Sequence, residues 1–238
     1  LVSLDAGGES HLLLVGSDVT EQRAVEKARF DEAVAQRELL IKEVHHRIKN
    51  NLQGVAGLLQ QTAARRPELA PAIADAVGQV QAIAQVHGLQ VGAGGALGLQ
   101  SLLGAVTGSV QRMFGRPIEF RAEGATAARW ALSENEAIPI ALTVNELLTN
   151  AIKHGAGAEA VSCTLLAGEE RATVKIRNPG RLGEGFCLEQ VRPGVSGLGL
   201  VRALLPRRSG ALALAQAGDG VEVVFSLVAP SVRLLDPA

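Results

Sequence analysis

The sequence predicts an α+β protein: an N-terminal helical hairpin that dimerises into a four-helix bundle, followed by an α/β sandwich. Three observations predict it. An apolar heptad seam runs through residues 30–58, a glycine-rich stretch (GAGGALG, 92–98) interrupts the chain, and beyond it short alternating runs interleave with helical periods.

The opening segment, LVSLDAGGESHLLLVG, alternates like a β-hairpin with Gly7-Gly8 as its turn, and is too small to fold alone. It reads as the remnant of a larger N-terminal domain. From Asp18 the alternation gives way to a helical period, with Asp18 or Thr20 available as N-cap. The seam Phe30, Val34, Arg37, Ile41, Val44, Ile48, Asn51, Val55, Leu58 steps by fours and threes, a heptad broken only by Arg37 and Asn51. It predicts a coiled-coil-like helix from about Thr20 to Arg65. A helix of about 45 residues needs a partner along its apolar side.

Arg66-Pro67 ends that helix, and Ile73, Val77, Val80, Ala84 and His87 mark a shorter antiparallel one, so 44–91 forms the hairpin. One seam per helix makes a poor core, and two copies of the chain solve the problem economically. After the linker, 99–230 reads as one domain: a helix over Leu99 to Phe114, strands near 118–122 and 129–132, and a helix opened by a Ser133/Glu136 capping box. Strands at 160–167 and 171–177 follow, then a loop, a helix from Gly197 to Arg208, and strands at 211–216 and 221–228. Residues 231–238 are a tail.

Bulk properties exclude several function classes. A net charge of −1 gives no nucleic-acid footprint and no polybasic membrane tail. No apolar run approaches the roughly 18 to 20 residues that span a bilayer, so the chain is expected to be soluble. Cys163 and Cys187 fit neither a disulfide framework nor a metal-ligand spacing, which suits a reducing, cytoplasmic setting in which both are packing residues.

Chemistry concentrates in two stretches. In EVHHRIKNNLQ (43–53), with the Ile41/Val44/Ile48 stripe facing the bundle, His45 lies about 80° to one side and His46 roughly opposite. Glu43 and Asn50 share the outer face with His46, giving an exposed imidazole a carboxylate and an amide within reach. A neutral imidazole is a nucleophile near neutral pH, or simply a solvated side chain. Zinc is disfavoured, since adjacent histidines diverge on a helix. In TVNELLTNAIKHG (143–155), Glu146, Asn150 and Lys153 align on one helix face, as suits a hydrated magnesium ion and a phosphate chain. The loop 178–199 carries six glycines and ends in GLGLVRAL, a glycine turn opening a helix, which offers backbone N–H groups to an anion.

With these motifs in place, the chain resembles the transmitter core of bacterial sensor histidine kinases. EVHHRIKNNLQ is similar to the phosphoacceptor box of the H-R-x-K-N group close to the HWE kinases, NELLTNAIKH to the N box of the GHKL ATPases, and GVSGLGL to their second glycine box. SDVTEQR resembles the segment that closes a PAS domain and enters the signalling helix, which implies that 1–18 is the remnant of a PAS-like sensor domain and 19–43 a coiled-coil signalling helix. The resemblance implies that His46 is the phosphoacceptor, since His46, Arg47 and Asn50 match the family register whereas His45 does not. It implies that Arg47 steadies phosphate oxygens and that Glu43 or Asn50 orients the imidazole. Asn150 would hold Mg2+, Glu146 would lie near the γ-phosphate of ATP, and Lys153 and His154 would contact phosphates. The backbone around Gly197, Leu198 and Gly199 would line the lid.

One departure stands out. Where the family has D-x-G-x-G, this chain has Asn178-Pro179-Gly180-Arg181-Leu182, replacing the adenine-binding carboxylate by an amide that still accepts through oxygen. Loss of a charge-assisted bond there costs on the order of 1 to 3 kcal/mol. The implied protein is a homodimeric histidine kinase that passes its phosphoryl group to an aspartate of a response-regulator receiver domain. The competing reading is a degenerate histidine phosphotransfer protein that docks regulators without using ATP. A chaperone- or repair-type GHKL ATPase is disfavoured by the helix that carries His46.

Overall fold

The computed structural model describes residues 2–6, 9–13, 18, 20–92, 96–156, 160–183 and 185–236. It divides into two compact units, Leu1–Glu43 and Val44–Ala238.

In the first unit, β1 (Val2–Ala6) and β2 (Glu9–Leu13) pair antiparallel, from Val2↔Leu13 to Ala6↔Glu9. The Gly7-Gly8 turn and Val19 lie outside the described residues. The helix α1 (Thr20–Arg65) begins in this unit, and Asp18 Oδ1 accepts the Thr20 N–H at 2.9 Å, the N-terminal capping the sequence allows. Its seam is open to solvent: Phe30 is 68% exposed and Ile41 46%.

In the second unit α1 continues to Arg65, where Pro67 keeps Arg66 out of the helical region (φ −134°, ψ 81°) and a short 3-10 turn (Pro67–Leu69) leads into α2 (Ala70–Gly92). The two helices run antiparallel and meet where His45 touches His87 and Lys49 lies against Gly88. Whereas the sequence sets the hairpin apart from the domain after the linker, α2 belongs to the same hydrophobic core as that domain, through Ala82 and Val86. The reason is a second stripe, Ala82, Val86 and Leu89, on the side of α2 turned from its first. Of the linker, residues 93–95 are outside the described set.

The helix α3 (Leu99–Phe114) buries Leu99, Leu102, Leu103, Val106 and Val110 at helical spacing and ends at Gly115, whose φ of 63° few other residues adopt. Five strands form the main sheet: β3 (Ile118–Glu123), β5 (Val161–Ala167), β6 (Ala172–Pro179), β8 (Gly220–Leu227) and β7 (Gly210–Ala217), in that spatial order. Only β3–β5 is parallel. On β5, buried Val161, Cys163 and Leu165 alternate with Ser162 and Thr164. A separate pair joins β4 (Trp130–Leu132) to β9 (Val232–Leu234). The main sheet packs against α4 (Glu134–His154), which joins α3 and the short α5 (Gly197–Leu204) in one core around Phe225, Leu147 and Leu148.

Three expectations are corrected. The stretch expected as a tail, 231–238, is part of the domain over its described residues 231–236, because Val232 is fully buried and β9 hydrogen-bonds β4. The helix expected to reach Arg208 stops at Leu204, since Pro206 lacks the N–H needed to continue. Ser133 is the N-cap of α4 without a side-chain bond; its carbonyl accepts the Glu136 N–H at 3.1 Å. Both cysteines are free, as expected, and burial pushes the Cys163 thiol up to about 11. No helix among the described residues is long and apolar enough to cross a membrane.

Candidate functional site

On α1 the adjacent histidines part company. His45 turns to α2, its Nδ1 2.9 Å from Nδ1 of His87, with ring centroids 5.2 Å apart. One nitrogen of such a contact must donate and the other accept, so the pair is made by neutral or singly protonated rings. Burial first, and then the charge of His45, hold His87 below its ordinary value, with Gln90 acting in the opposite direction. His46 faces solvent, and its Nδ1 lies 3.4 Å from the Asn50 amide. Glu43 and Arg47 are exposed on the same helix.

The second site is a cavity of about 450 Å3, within the range of small-ligand pockets. The helix α4 lines it with Leu147, Asn150, Ala151 and His154; β6 contributes Asn178 at its end, and α5 contributes Leu198 and Gly199 at its start. Loop residues Arg181, Phe186 and Val191 and sheet residues Leu214, Val221 and Val223 complete the wall. Asn178 is 5% exposed, and its Nδ2 donates to Pro179 O at 3.0 Å. A carbonyl can only accept, which fixes the amide orientation and leaves Oδ1 as the acceptor available to a ligand.

The glycines of the second box are required by geometry. Gly197 has a φ of 58°, and a Cβ on Gly199 would sit 2.8 Å from Arg192 O. Arg202 of α5 gathers the carbonyls of Leu188, Glu189 and Val191, tying the loop to the helix that follows it.

The cavity therefore brings together Asn150, His154, Asn178, Leu198 and Gly199 of the residues expected from sequence. Gly180, with a φ of 146°, lies behind it, against His154 O. Glu146 and Gly197 are bonded to each other beside it: Glu146 Oε2 accepts the Gly197 N–H at 2.9 Å, and Oε1 accepts from Gln79 of α2 at 3.0 Å. Lys153 is not on the cavity wall; it pairs with Asp75 of α2. His46, Arg47, Asn50 and Glu43 stand on α1, away from the cavity lining. Sequence reasoning missed Asp75, Gln79, Arg202 and the apolar wall. One signal was present: Asp75 is the sole acidic residue of α2, and Gln79 follows it by one helical turn.

Residues 43–103 match the family model HisKA_2, described as histidine kinase. The stretch that carries His46 is therefore similar to the histidine kinases, and the α+β domain behind it has the fold of a solved histidine kinase domain. Sensor histidine kinase PdtaS of Mycobacterium tuberculosis is 29% identical over 246 aligned positions, covering 94% of this chain and 48% of that protein. PdtaS of Mycolicibacterium smegmatis is 31% identical over 212 positions, covering 85% and 41%. The chain thus spans about half the length of the curated relatives it matches. Among solved structures, the histidine kinase domain of the Erythrobacter litoralis EL346 blue-light activated histidine kinase has the same fold, with a TM-score of 0.53 at 21% identity over 83% of this chain and 94% of that one.

Proposed function

We propose that the chain is the transmitter of a cytoplasmic sensor histidine kinase, which phosphorylates His46 from ATP with Mg2+ and passes the group to a receiver-domain aspartate of a response regulator. The observation that carries this reading is the pairing, on one chain, of an exposed His46–Asn50 couple with a nucleotide-sized cavity lined by Asn150, His154 and Asn178. The open seam of α1 supports a homodimer, and the β1–β2 hairpin with residues 19–43 would carry the signal from a PAS-like sensor domain.

The residues present fit a purine nucleotide. Leu147, Leu198 and Leu214 offer an apolar wall to the base, Asn178 Oδ1 an acceptor for the adenine amino group, and Asn150, His154 and Arg181 a polar rim for phosphates. Among the described residues no three His, Cys, Asp or Glu side chains cluster, so Asn150, phosphate oxygens and water would hold the metal. When bound, Mg2+ neutralises phosphate charge. In transfer, a lone pair of neutral His46 forms an N–P bond as the bond from the γ-phosphorus to the bridging oxygen breaks and ADP leaves. With Asn50 turned so that its Oδ1 accepts from Nδ1–H, Nε2 of His46 is left free to attack and the developing imidazolium is stabilised.

The test is incubation with Mg2+ and γ-labelled ATP beside His46→Ala, His45→Ala and Asn150→Ala variants. Acid-labile label lost in the His46 and Asn150 variants, and retained in His45→Ala, is the expected result. A second reading, the phosphotransfer scaffold that docks regulators without ATP, is favoured by the neutral Asn178. An unlabelled wild type that binds no nucleotide would select it.

A further inference from the structure

We propose that His45 and His87 form a positioning pair for the transfer step: the hydrogen bond between them fixes the rotation of α1 about its own axis, and with it the direction in which His46 faces. This rests on the ATP-dependent reading above. The contact is one that specifies direction. Its two Nδ1 atoms are 2.9 Å apart and the ring centroids 5.2 Å, so the rings point at each other nearly head-on, as a linear N–H···N bond requires. Three residues on, Oε1 of Gln90 is buried and makes no hydrogen bond of its own among the described residues, while Gln90 acts on His87 in the direction an acceptor does. An acceptor there keeps the His87 proton on Nε2, which leaves its Nδ1 to accept and makes the His45 Nδ1–H the donor.

Little else within the chain holds α1 to that rotation. Ala56 is the one buried residue of the helix. Beside the pair, the Lys49 stem lies on Gly88, where a Cβ would come 3.2 Å from Lys49 Cδ, so the close approach of the two helices at this level depends on a glycine. A lysine stem is flexible, whereas a linear bond between two rings sets an angle.

Adjacent residues of a helix point about 100° apart, so a bond made at His45 decides where His46 points. Side chains reach about 5–6 Å from the helix axis, and a turn of about 10° therefore carries the His46 ring about 1 Å sideways. In-line transfer needs reacting atoms about 3–3.5 Å apart, and a misplacement of about 1 Å can cost about 10²-fold in rate. That requirement is the same whether the phosphoryl group comes from the cavity of the same chain or of a second copy. His45 and His87 are positioning residues: they act through His46 and touch neither base nor phosphate.

The test uses the full chain with His87→Ala, His45→Ala and His87→Asn. Asparagine carries an acceptor near the place of Nδ1 and can still receive the His45 proton, whereas alanine removes the partner. Initial rates of acid-labile labelling are measured over a range of ATP concentrations with Mg2+, and Trp130 fluorescence checks the fold. Both alanine variants are expected to label about tenfold or more slowly than wild type at saturating ATP, with the half-saturating ATP concentration within about twofold, and still to reach full label at long times. His87→Asn should recover most of the rate. Because no residue of α1 belongs to the core, His45→Ala keeps the test open even where His87→Ala does not fold. Wild-type rates in the folded alanine variants, a change confined to the half-saturating concentration, or an asparagine variant as slow as the alanine one would each overturn the positioning pair and leave the kinase reading standing. No label in the wild type would overturn that reading and the pair's role with it.

Discussion

Two helices of this chain are both long and both patterned, yet they spend their apolar residues differently. Of the 21 residues of α4, 12 are buried, against α2, α3, α5 and the sheet. Of the 46 residues of α1, only Ala56 is. The periodicity of α4 is answered within its own chain. That of α1 is a heptad whose members Val44, Val55 and Leu58 are 53%, 46% and 66% exposed, so among the described residues it stays largely unanswered.

The sharpest way to test the contrast is to damage each helix on its apolar side. Leu148→Ala, at a fully buried position of α4, should cost about 3 kcal/mol in urea unfolding followed by the fluorescence of Trp130, itself buried in the same layer. A loss under about 1 kcal/mol would mean that the α4 core is looser than its burial implies. On α1, Val55→Asp with Leu58→Asp should leave helix content intact and weaken dimerisation at least about tenfold in sedimentation experiments. A wild type that stays monomeric at all concentrations would break the comparison. Smaller in effect is Arg116→Ala, which removes the guanidinium donating at 2.9 Å to Ile152 O in the last turn of α4; about 1 kcal/mol of stability should go with it.

The smallest effect concerns the contact between α1 and α2. Because His87 is held below its ordinary 6.5, the unfolded chain takes up a proton at pH values where the folded chain does not. Its contribution to stability is therefore complete above 6.5 and is lost as pH falls below that value. Melting temperatures at about pH 8 and about pH 5.5 should fall further for wild type than for His87→Gln.

What could be read in the sequence follows from how local each signal is. The extents of α1 and α3, Thr20–Arg65 and Leu99–Phe114, agree with the expected ones because period, proline and glycine act within a turn or two. The distinction between His45 and His46 follows from one helix's geometry, and the structure seats them on different sides. β9 escaped because three residues, Val-Arg-Leu, are too few to show a period. The pairing of Lys153 with Asp75 could not be read, because Asp75 lies on another helix, where no spacing rule reaches. The two-faced nature of α2 was hidden for a related reason: its first stripe accounted for a hairpin, and only a packed layer reveals what Ala82 and Val86 are for.

The pairing of β4 with β9 also orders events in time. Trp130 lies across from Leu234, and Leu235 N–H reaches back to Arg129 O at 2.9 Å. On the ribosome, the strand leading into α4 waits for nearly the last residues of the chain described here before its edge is closed, whereas α1 emerges early with its seam already complete. The heptad helix is thus complete long before the layer that bears the cavity can close.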